Sequence, residues 1–514
     1  MMDATNIPNI PPEQFRFVEQ RERQSDEALS GRRTGYWQDA FGRFRRNRSS
    51  VVAAVIISGL VLYALLVPLF CATDYSRALT DPMYLYYAKL YPKWEPAARW
   101  GLGFWDGAKA IPLSQANYHY YLAIGRETGT EIFTQLSAPY VSDEGKTTYD
   151  ARLDTYLANG FLYMTLTEAE YRQLQAWQTD TGVQVIYPAV TDRAQSDANI
   201  WYETTPKGTA QLDSRGEFTD IYRRSGEDGG YSSLRLPDDP GAADANAPDR
   251  YRYATVTGDA EAVSYKCRIF LYNYFRYRYG SEPEFLFGTN GKGEDILTRL
   301  AAGARFSLLF ALCIAGINLL IGTVYGAIEG YYGGTADLLM ERFSDILSRV
   351  PFLVVATLFQ LHLAQKAGVV PSLLFAFVLT GWIAIAATVR MQFYRFKGQE
   401  YVLSARVLGA GDGRIMFRHI FPNALGTIIT SSVLVIPGVI FSESMLTYLG
   451  IVNLEGSGQT SVGTLLANAR GYLSTDPHII LFPALFISLL MICFNLLGNG
   501  LRDAFNPALR GAEG

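Results

Sequence analysis

Five windows without a charged side chain punctuate the sequence: Ser49 to Thr73, Phe306 to Ile328, Ala367 to Val389, Ile420 to Ser442 and Ile479 to Leu501. Each is long enough for a helix to cross about 30 Å of hydrocarbon, which takes about 20 residues. A sixth window, Val350 to Gln365, is shorter, carries His362 and needs Ile346 and Leu347 to complete a span. Pro68, Pro437 and Pro483 interrupt the windows, which membrane helices tolerate when neighbours satisfy the freed carbonyls. The first window lies too far along the chain and lacks the small-residue cleavage site of a signal peptide, so it is expected to be a retained anchor.

Basic residues flanking the spans set the expected orientation. Arg32 to Arg48 holds six arginines against Asp39 alone, which places the N-terminus in the cytoplasm. Alternation then puts residues 73–303 outside and the loop from Val389 to Arg418 inside, with Arg390, Arg395, Lys397, Arg406, Arg414 and Arg418. The C-terminal tail, with Arg502 and Arg510, falls inside as well. One segment runs against the rule: Glu329 to Arg349 is expected inside yet carries four acids and two arginines.

Between the first two spans lies a long polar segment. From Thr73 to Phe285 there are 21 Lys and Arg against 29 Asp and Glu, a net of −8 that leaves +4 for the rest of the chain. This length buries a core of its own, and its tyrosine and tryptophan content argues for a folded α+β domain. Thr167-x-x-Glu170 reads as a capping box, with a helix to about Asp180, Gly182 as its stop and a strand over Val183 to Val190. Asp, Ala, Gly and Pro collect in an expected loop from Pro237 to Pro248. Tyr118, His119, Tyr120 and Tyr121 are either core or an aromatic ligand surface, and Cys71 and Cys267 at its ends are either bridged or a pair of thiols.

Composition agrees with a membrane protein: charged residues are 18% and apolar residues 49% of the 514, against about 25% charged in soluble domains. A net charge of −4 disfavours nucleic acid as a partner. Motifs for chemistry are missing. Gly145-Lys146-Thr147 lacks the leading glycine of a phosphate loop, since Tyr140 stands there; His119, His362, His419 and His478 are scattered; and neither H-E-x-x-H nor G-x-S-x-G occurs. The expectation is a transporter subunit that binds no cofactor or metal itself, and not an enzyme. With the spans free of charge, Glu443 is the nearest intramembrane ionisable group, placed to line a translocation pathway or to reach the interface. Gly316, Gly322 and Gly326 fit close packing against another subunit, or exposure to lipid.

The loop from Gln399 to Ala424 differs from the other connections. Glu400 to Leu408 is expected helical, with Tyr401, Ala405 and Leu408 on one face. Gly409 and Gly411 break it, Asp412 caps a second helix from Gly413 to Phe421, and Pro422 leads into the next span. Ile415, Met416, Ile420 and Phe421 are expected to anchor this knob, leaving Arg406, Arg414 and Arg418 nearer solvent; an interfacial helix lying on headgroups is the rival reading.

This segment resembles the coupling loop of binding-protein-dependent ABC importer permeases, whose signature is Glu-Ala-Ala, three residues, Gly, and a proline thirteen residues later. Leu403, Ser404, Ala405, Gly409 and Pro422 occupy those places, so the first two signature residues differ. The chain as a whole resembles the C-type permease subunit of oligopeptide and dipeptide importers. Phe44-Arg45-Arg46-Asn47 begins the likeness, and Phe287-Gly288-Thr289-Asn290, Asp295-Ile296-Leu297, Gly303-Ala304-Arg305-Phe306-Ser307 and Gly330-Tyr331-Tyr332-Gly333-Gly334 extend it. Asp345, Pro351, Leu449-Gly450 and Asn495 to Asp503 complete it over residues 285–507. Asn290 and Glu294 stand where the family has Asp and Arg, and most members have a short loop in place of residues 73–285.

The resemblance implies an α-helical integral membrane protein with the six transmembrane helices of the type I ABC importer permease fold, plus an inserted α+β extracytoplasmic domain. Its expected parts are a basic cytoplasmic segment (1–48), the first span (49–72), the insert (73–285), a core of five spans (286–507) containing the coupling loop (398–422), and a cytoplasmic tail (508–514). Implied partners are a second permease subunit, two cytoplasmic ATPases that use ATP and Mg, an extracytoplasmic peptide-binding protein and the bilayer of a bacterial cytoplasmic membrane. Glu400, Ala405, Arg406, Gly409, Ala410, Asp412, Arg414 and Arg418 are the expected coupling residues. The expected cargo is peptide, with nickel or another small solute as the alternative. The insert is expected to dock the binding protein rather than to catalyse; a secondary transporter and a membrane-tethered sensor or enzyme acting through residues 73–285 are the rival classes.

Overall fold

A computed structural model describes residues 36–71, 81–100, 103–142, 145–190, 197–223, 231–238, 251–258 and 263–505. The expected loop at Pro237 to Pro248, the tail at 508–514 and most of the N-terminal segment fall largely outside them. A basic helix α1 (Tyr36–Arg46) leads into the first span α2 (Arg48–Phe70), whose N-terminus is capped by the Asn47 side chain.

The insert that follows contains two copies of one βαβββ unit. In the first, β1 (Ala108–Ser114) runs into α3 (Gln115–Thr128), then β2 (Phe133–Gln135), the short edge strand β3 (Tyr140–Val141) and β4 (Thr147–Asp154). The second has β5 (Phe161–Thr167), α4 (Glu168–Thr181) and β6 (Ile186–Tyr187), a hairpin of β7 (Ile221–Arg223) and β8 (Tyr231–Ser233), then β9 (Ala254–Thr257) and β10 (Ser264–Phe270). The sheet orders correspond, β1-β4-β2 with β3 on β4, and β5-β10-β6 with β9 on β10. Residue i matches residue i + 53 through strand, helix and second strand: Ser114 and Thr167 cap the helices, and Gly129 and Gly182 end them at φ of 67° and 69°. Along the central strand the match is i + 116, so Ser114↔Thr148 becomes Thr167↔Ser264 and Phe133↔Leu153 becomes Ile186↔Ile269.

Both helices keep Ala, Tyr and Ala at matching places, Ala116, Tyr118 and Ala123 against Ala169, Tyr171 and Ala176. The rings of the matching Tyr156 and Tyr272 share one cation, with Lys93 Nζ 4.9 and 5.5 Å from their centroids. The capping box at Thr167 and Glu170 forms as the sequence predicts, whereas the expected strand over Val183 to Val190 contracts to Ile186–Tyr187. The aromatic quartet divides: His119 is buried against Phe218, Tyr120 and Tyr121 pack partly buried against a core cluster, and Tyr118 stacks on Tyr149 at 4.1 Å, with Tyr118 and Tyr121 lining a shallow cavity. Cys267 is an unbridged, buried thiol on β10, its pKa pushed up to about 12 by burial, so the bridged alternative for Cys71 and Cys267 is set aside. A last helix, α5 (Leu271–Tyr279), returns the chain toward the bundle.

The bundle starts at α6 (Ile296–Tyr332), which begins ten residues before the predicted span because Asp295 accepts the amides of Leu297 and Thr298 as its N-cap. Next come α7 (Gly334–Ser348) and α8 (Phe352–His362), bent by 73° at Pro351, then α9 (Val369–Phe396), α10 (Glu400–Val407), α11 (Asp412–Tyr448), α12 (Val462–Ala469) and α13 (His478–Phe505). Among the described residues, α2, α6, α9, α11 and α13 are long and apolar enough to cross a membrane, and the bent pair α7–α8 is a candidate sixth. The weakest window is thus a short helix broken from its predecessor by a proline.

Gly322, Gly326 and Gly330 on α6 meet α9 of the same chain: a Cβ on each would lie 2.7, 2.2 and 2.7 Å from the carbonyl oxygens of Trp382, Ala386 and Arg390. This corrects the expectation of another subunit or lipid at Gly322 and Gly326; Gly316 faces open space. The insert is joined to the bundle by a Lys109–Asp476 ion pair of 2.7 Å and by backbone bonds from Lys89 N to Asn290 O and Thr289 N to Leu90 O. Asn290 and Glu294, where the chain departs from the family pattern, are buried together: Asn290 donates to Glu294 at 2.7 Å, and Arg299 pairs with Glu294 at 2.9 Å. The departure therefore keeps an internally satisfied ion pair.

Candidate coupling site at the end of the second span

The knob expected from the sequence forms, with altered details. Helix α10 ends in a Schellman turn: Gly409 N bonds Arg406 O, and Ala410 N bonds Ala405 O, both at 3.0 Å, with Gly409 at φ 80°. No atom lies within 4 Å of a Cβ at Gly409, so the left-handed backbone, rather than space, calls for glycine. The buried face of α10 is Val402 and Ala405, not Tyr401, Ala405 and Leu408. Asp412 does not cap the next helix: Gly411 holds the cap position, and α11 runs from Asp412 through the membrane without stopping at Pro422. A π-helical turn over Ile415–Ile420 precedes that proline; the wider turn relieves the clash of its ring with the preceding turn.

Ile415, Met416 and Ile420 are buried with Ala327, Tyr331, Val389 and Phe393 at the adjoining ends of α6 and α9, as the anchoring role required, while Phe421 packs partly buried against them. Polar contacts then fix the knob's two arms to one side chain. The Tyr331 hydroxyl donates to Asp412 Oδ1 at 2.7 Å and accepts from Arg406 Nη2 at 3.3 Å. Glu400, Arg414 and Arg418 are exposed and Ala410 is half-buried. At the tip, Val407 and Leu408 are 87% and 86% exposed, a large apolar exposure for adjacent residues on a polar loop.

Beside Tyr331 lies the explanation for the acidic segment that broke the charge rule. Arg390 on α9 reaches Asp337 at 2.6 Å, Glu341 at 3.0 Å and Glu329 at 3.4 Å. Tyr394 donates to Asp337, and Lys397 donates to Gly330 O at 2.9 Å. Burial pushes the Lys397 ammonium below its ordinary pKa, with Asp337 opposing that shift. Three of the four acids on α6 and α7 thus gather around Arg390 of α9 while Asp345 pairs with Arg342 on its own helix, and counting charge loop by loop hides this arrangement.

Glu443 takes a role not foreseen. It is fully buried, so in this structure it neither lines an open path nor reaches the interface. Ser307 Oγ and Thr447 Oγ1 donate to its carboxylate at 3.2 Å and Ser444 Oγ at 3.4 Å, while Ser307 Oγ also accepts from Val462 N at 3.3 Å. The carboxylate therefore ties α6, α11 and α12 together. Tyr331, Arg390 and Asp337 were missed as site residues, although the Gly-Tyr-Tyr-Gly-Gly string and the acidic excess marked both places. Among the described residues no group of His, Cys, Asp and Glu is arranged to hold a metal.

Five to six apolar helices with a projecting helical knob define a helical membrane protein. The family described as binding-protein-dependent transport system inner membrane component matches residues 318–511, and the N-terminal TM domain of oligopeptide transport permease C matches residues 35–90. The oligopeptide transport system permease protein OppC of Bacillus subtilis is 41% identical over 224 residues, 44% of this chain and 72% of the relative. OppC of Haemophilus influenzae is 39% identical over 226 residues (44% and 71%), and the dipeptide transport system permease protein DppC of Bacillus subtilis is 38% identical over 226 residues (44% and 69%). The chain belongs to the family of binding-protein-dependent ABC transport permeases, as a transport subunit and not an enzyme. Residues 91–317 fall outside both family matches.

Proposed function

We propose that this chain is one of two permease subunits forming a peptide pathway across a bacterial cytoplasmic membrane, driven by two partner ATPases that use ATP and Mg. The observation that carries the coupling role is the knob at 398–422: a rigid turn with Val407 and Leu408 uncovered at its tip and both arms tied to Tyr331. A partner gripping the tip pulls on α6 through Tyr331 and on α11 directly, two of the spans expected to line the pathway. Moving such a two-state bundle from 1:99 to 99:1 takes about 5.5 kcal/mol of differential binding, within reach of nucleotide bound by the partners. In this reading both termini and the knob are cytoplasmic. The insert is then extracytoplasmic, where it docks or guides a peptide-binding protein.

The test is a membrane pull-down of the tagged chain beside a Val407→Asp, Leu408→Asp variant. The expected result is that a second permease and ATPase subunits copurify with the parent, that the ATPases drop out of the variant, and that peptide uptake is lost with them. A variant that keeps its ATPases and its uptake overturns the assignment of the knob. A parent that never recruits an ATPase overturns the importer reading.

A further inference from the structure

A cavity of about 740 Å3 lies where the insert meets the bundle, away from the knob. Its floor comes from the membrane part: Cys71 closes the C-terminus of α2, and Leu297 and Thr298 form the first turn of α6. The remaining wall comes from the insert and the strand-like segment leaving it. The cavity therefore sits between the C-terminus of α2 and the N-terminus of α6, on the insert side of both spans.

Two tryptophans face it. Trp94 N donates to Trp105 O at 2.9 Å, and Trp105 Nε1 donates to Leu286 O at 2.7 Å, so one indole is fixed while Trp94 is partly exposed. Phe70, which precedes the lining residue Cys71 in sequence, is 81% exposed. Indoles of this kind sit at the headgroup level of a membrane. Charge narrows the choice of occupant. Glu282, Glu284 and Asp295 line the cavity against one cation, Lys93, whose ammonium is turned to the faces of Tyr156 and Tyr272. Glu284 accepts one amide, from Glu95 at 2.5 Å, and Glu282 accepts the Tyr272 hydroxyl at 3.2 Å with Arg276 at 3.9 Å. A carboxylate has about four acceptor positions, so both retain capacity for a donor. An ammonium group satisfies carboxylates and indole faces together; an anionic headgroup meets net repulsion.

We propose that this cavity is a binding site for a phospholipid of the insert-side leaflet, selecting a primary-ammonium headgroup of the phosphatidylethanolamine type. The full-length chain would be placed in nanodiscs of equal phosphatidylethanolamine and phosphatidylglycerol with matched acyl chains, re-extracted in mild detergent, and its retained lipid counted by native mass spectrometry. The parent is expected to retain the ethanolamine lipid about fivefold over the glycerol lipid, the ratio that about 1 kcal/mol gives. The shape-conserving pair Glu282→Gln with Glu284→Gln should bring that ratio to about one with Tm unchanged, and Trp94→Ala should lower it. A parent without preference overturns the site, as does a carboxamide variant that keeps the parent's ratio. Should Trp94→Ala fail to fold, the carboxamide pair decides alone.

Discussion

In the bundle, α6 meets α9 through Gly322, Gly326 and Gly330, with backbone nearly touching backbone. In the insert, the corresponding contacts are rings, such as Phe161 against Tyr187 at 4.9 Å and Tyr171 against Tyr265 at 4.4 Å. The difference follows from the solvent. Water drives large apolar side chains together in the insert, whereas lipid is as apolar as leucine, so membrane helices gain by close approach and by shared polar contacts. Each region also pairs an arginine with acids, in opposite styles. Arg268 in the insert is wholly enclosed, bonding Glu127 at 2.7 and 2.8 Å and two carbonyls, while Arg390 sits partly exposed among three acids.

Substitutions that exchange the two styles break the comparison most visibly. Arg268→Ala leaves Glu127 buried with its bidentate partner gone and Arg235 at 3.6 Å, and should cost about 3–5 kcal/mol, read as protease sensitivity of the insert with the spans still protected. Arg152→Ala, at the matching place in the first unit but half-exposed against Asp106, should cost less than about 1 kcal/mol; equal losses would show that the two units do not differ as described. Gly326→Leu, which drives a side chain into the Ala386 carbonyl, should cost about 3 kcal/mol or more, read as aggregated protein on size exclusion.

Smaller changes sharpen the contrast. Tyr331→Phe removes the hydroxyl shared by Asp412 and Arg406 and should cost about 1 kcal/mol of stability, yet it should lower transport per ATP consumed far more than a stability loss of that size explains. Smallest is the effect at Glu170, whose carboxyl the Thr167 backbone amide, helped by the Thr167 hydroxyl, holds below its ordinary value of 4.5. A depressed carboxyl contributes stability above its unfolded pKa and loses it as pH falls through the folded one. The protection factor against hydrogen exchange at the start of α4 should therefore fall on acidification below that value in the parent, and Glu170→Gln should remove that fall.

Much of the bundle was legible because a span is a local property: an uncharged run of sufficient length is enough. The knob was legible for the same reason, since Gly409 and the flanking arginines act within one turn. Asp412 was misread as a cap because a sequence reading tests the nearest amides, and the competing donor, the Tyr331 hydroxyl, lies 81 residues away. The capping box at Thr167 was readable, but the repeat was not: six identical residues over the 17 positions from Leu113 to Gly129 are sparse, and the offset changes from 53 to 116 between β6 and β10. Only strand pairing, which compares register instead of residue identity, makes the two units coincide.

Five apolar helices, the separation of a polar insert from them, and the family resemblance carried by ordered local strings could be read from the sequence. Each depends on residues near one another in the chain. Tertiary structure alone decided which faces were hidden: glycines turned toward α9 instead of a partner, Glu443 sealed among hydroxyls, and an acidic run balanced by Arg390 from another helix. Those outcomes depend on which surfaces the folded chain brings within a few ångströms, and charge and packing act across that distance whatever the separation in sequence.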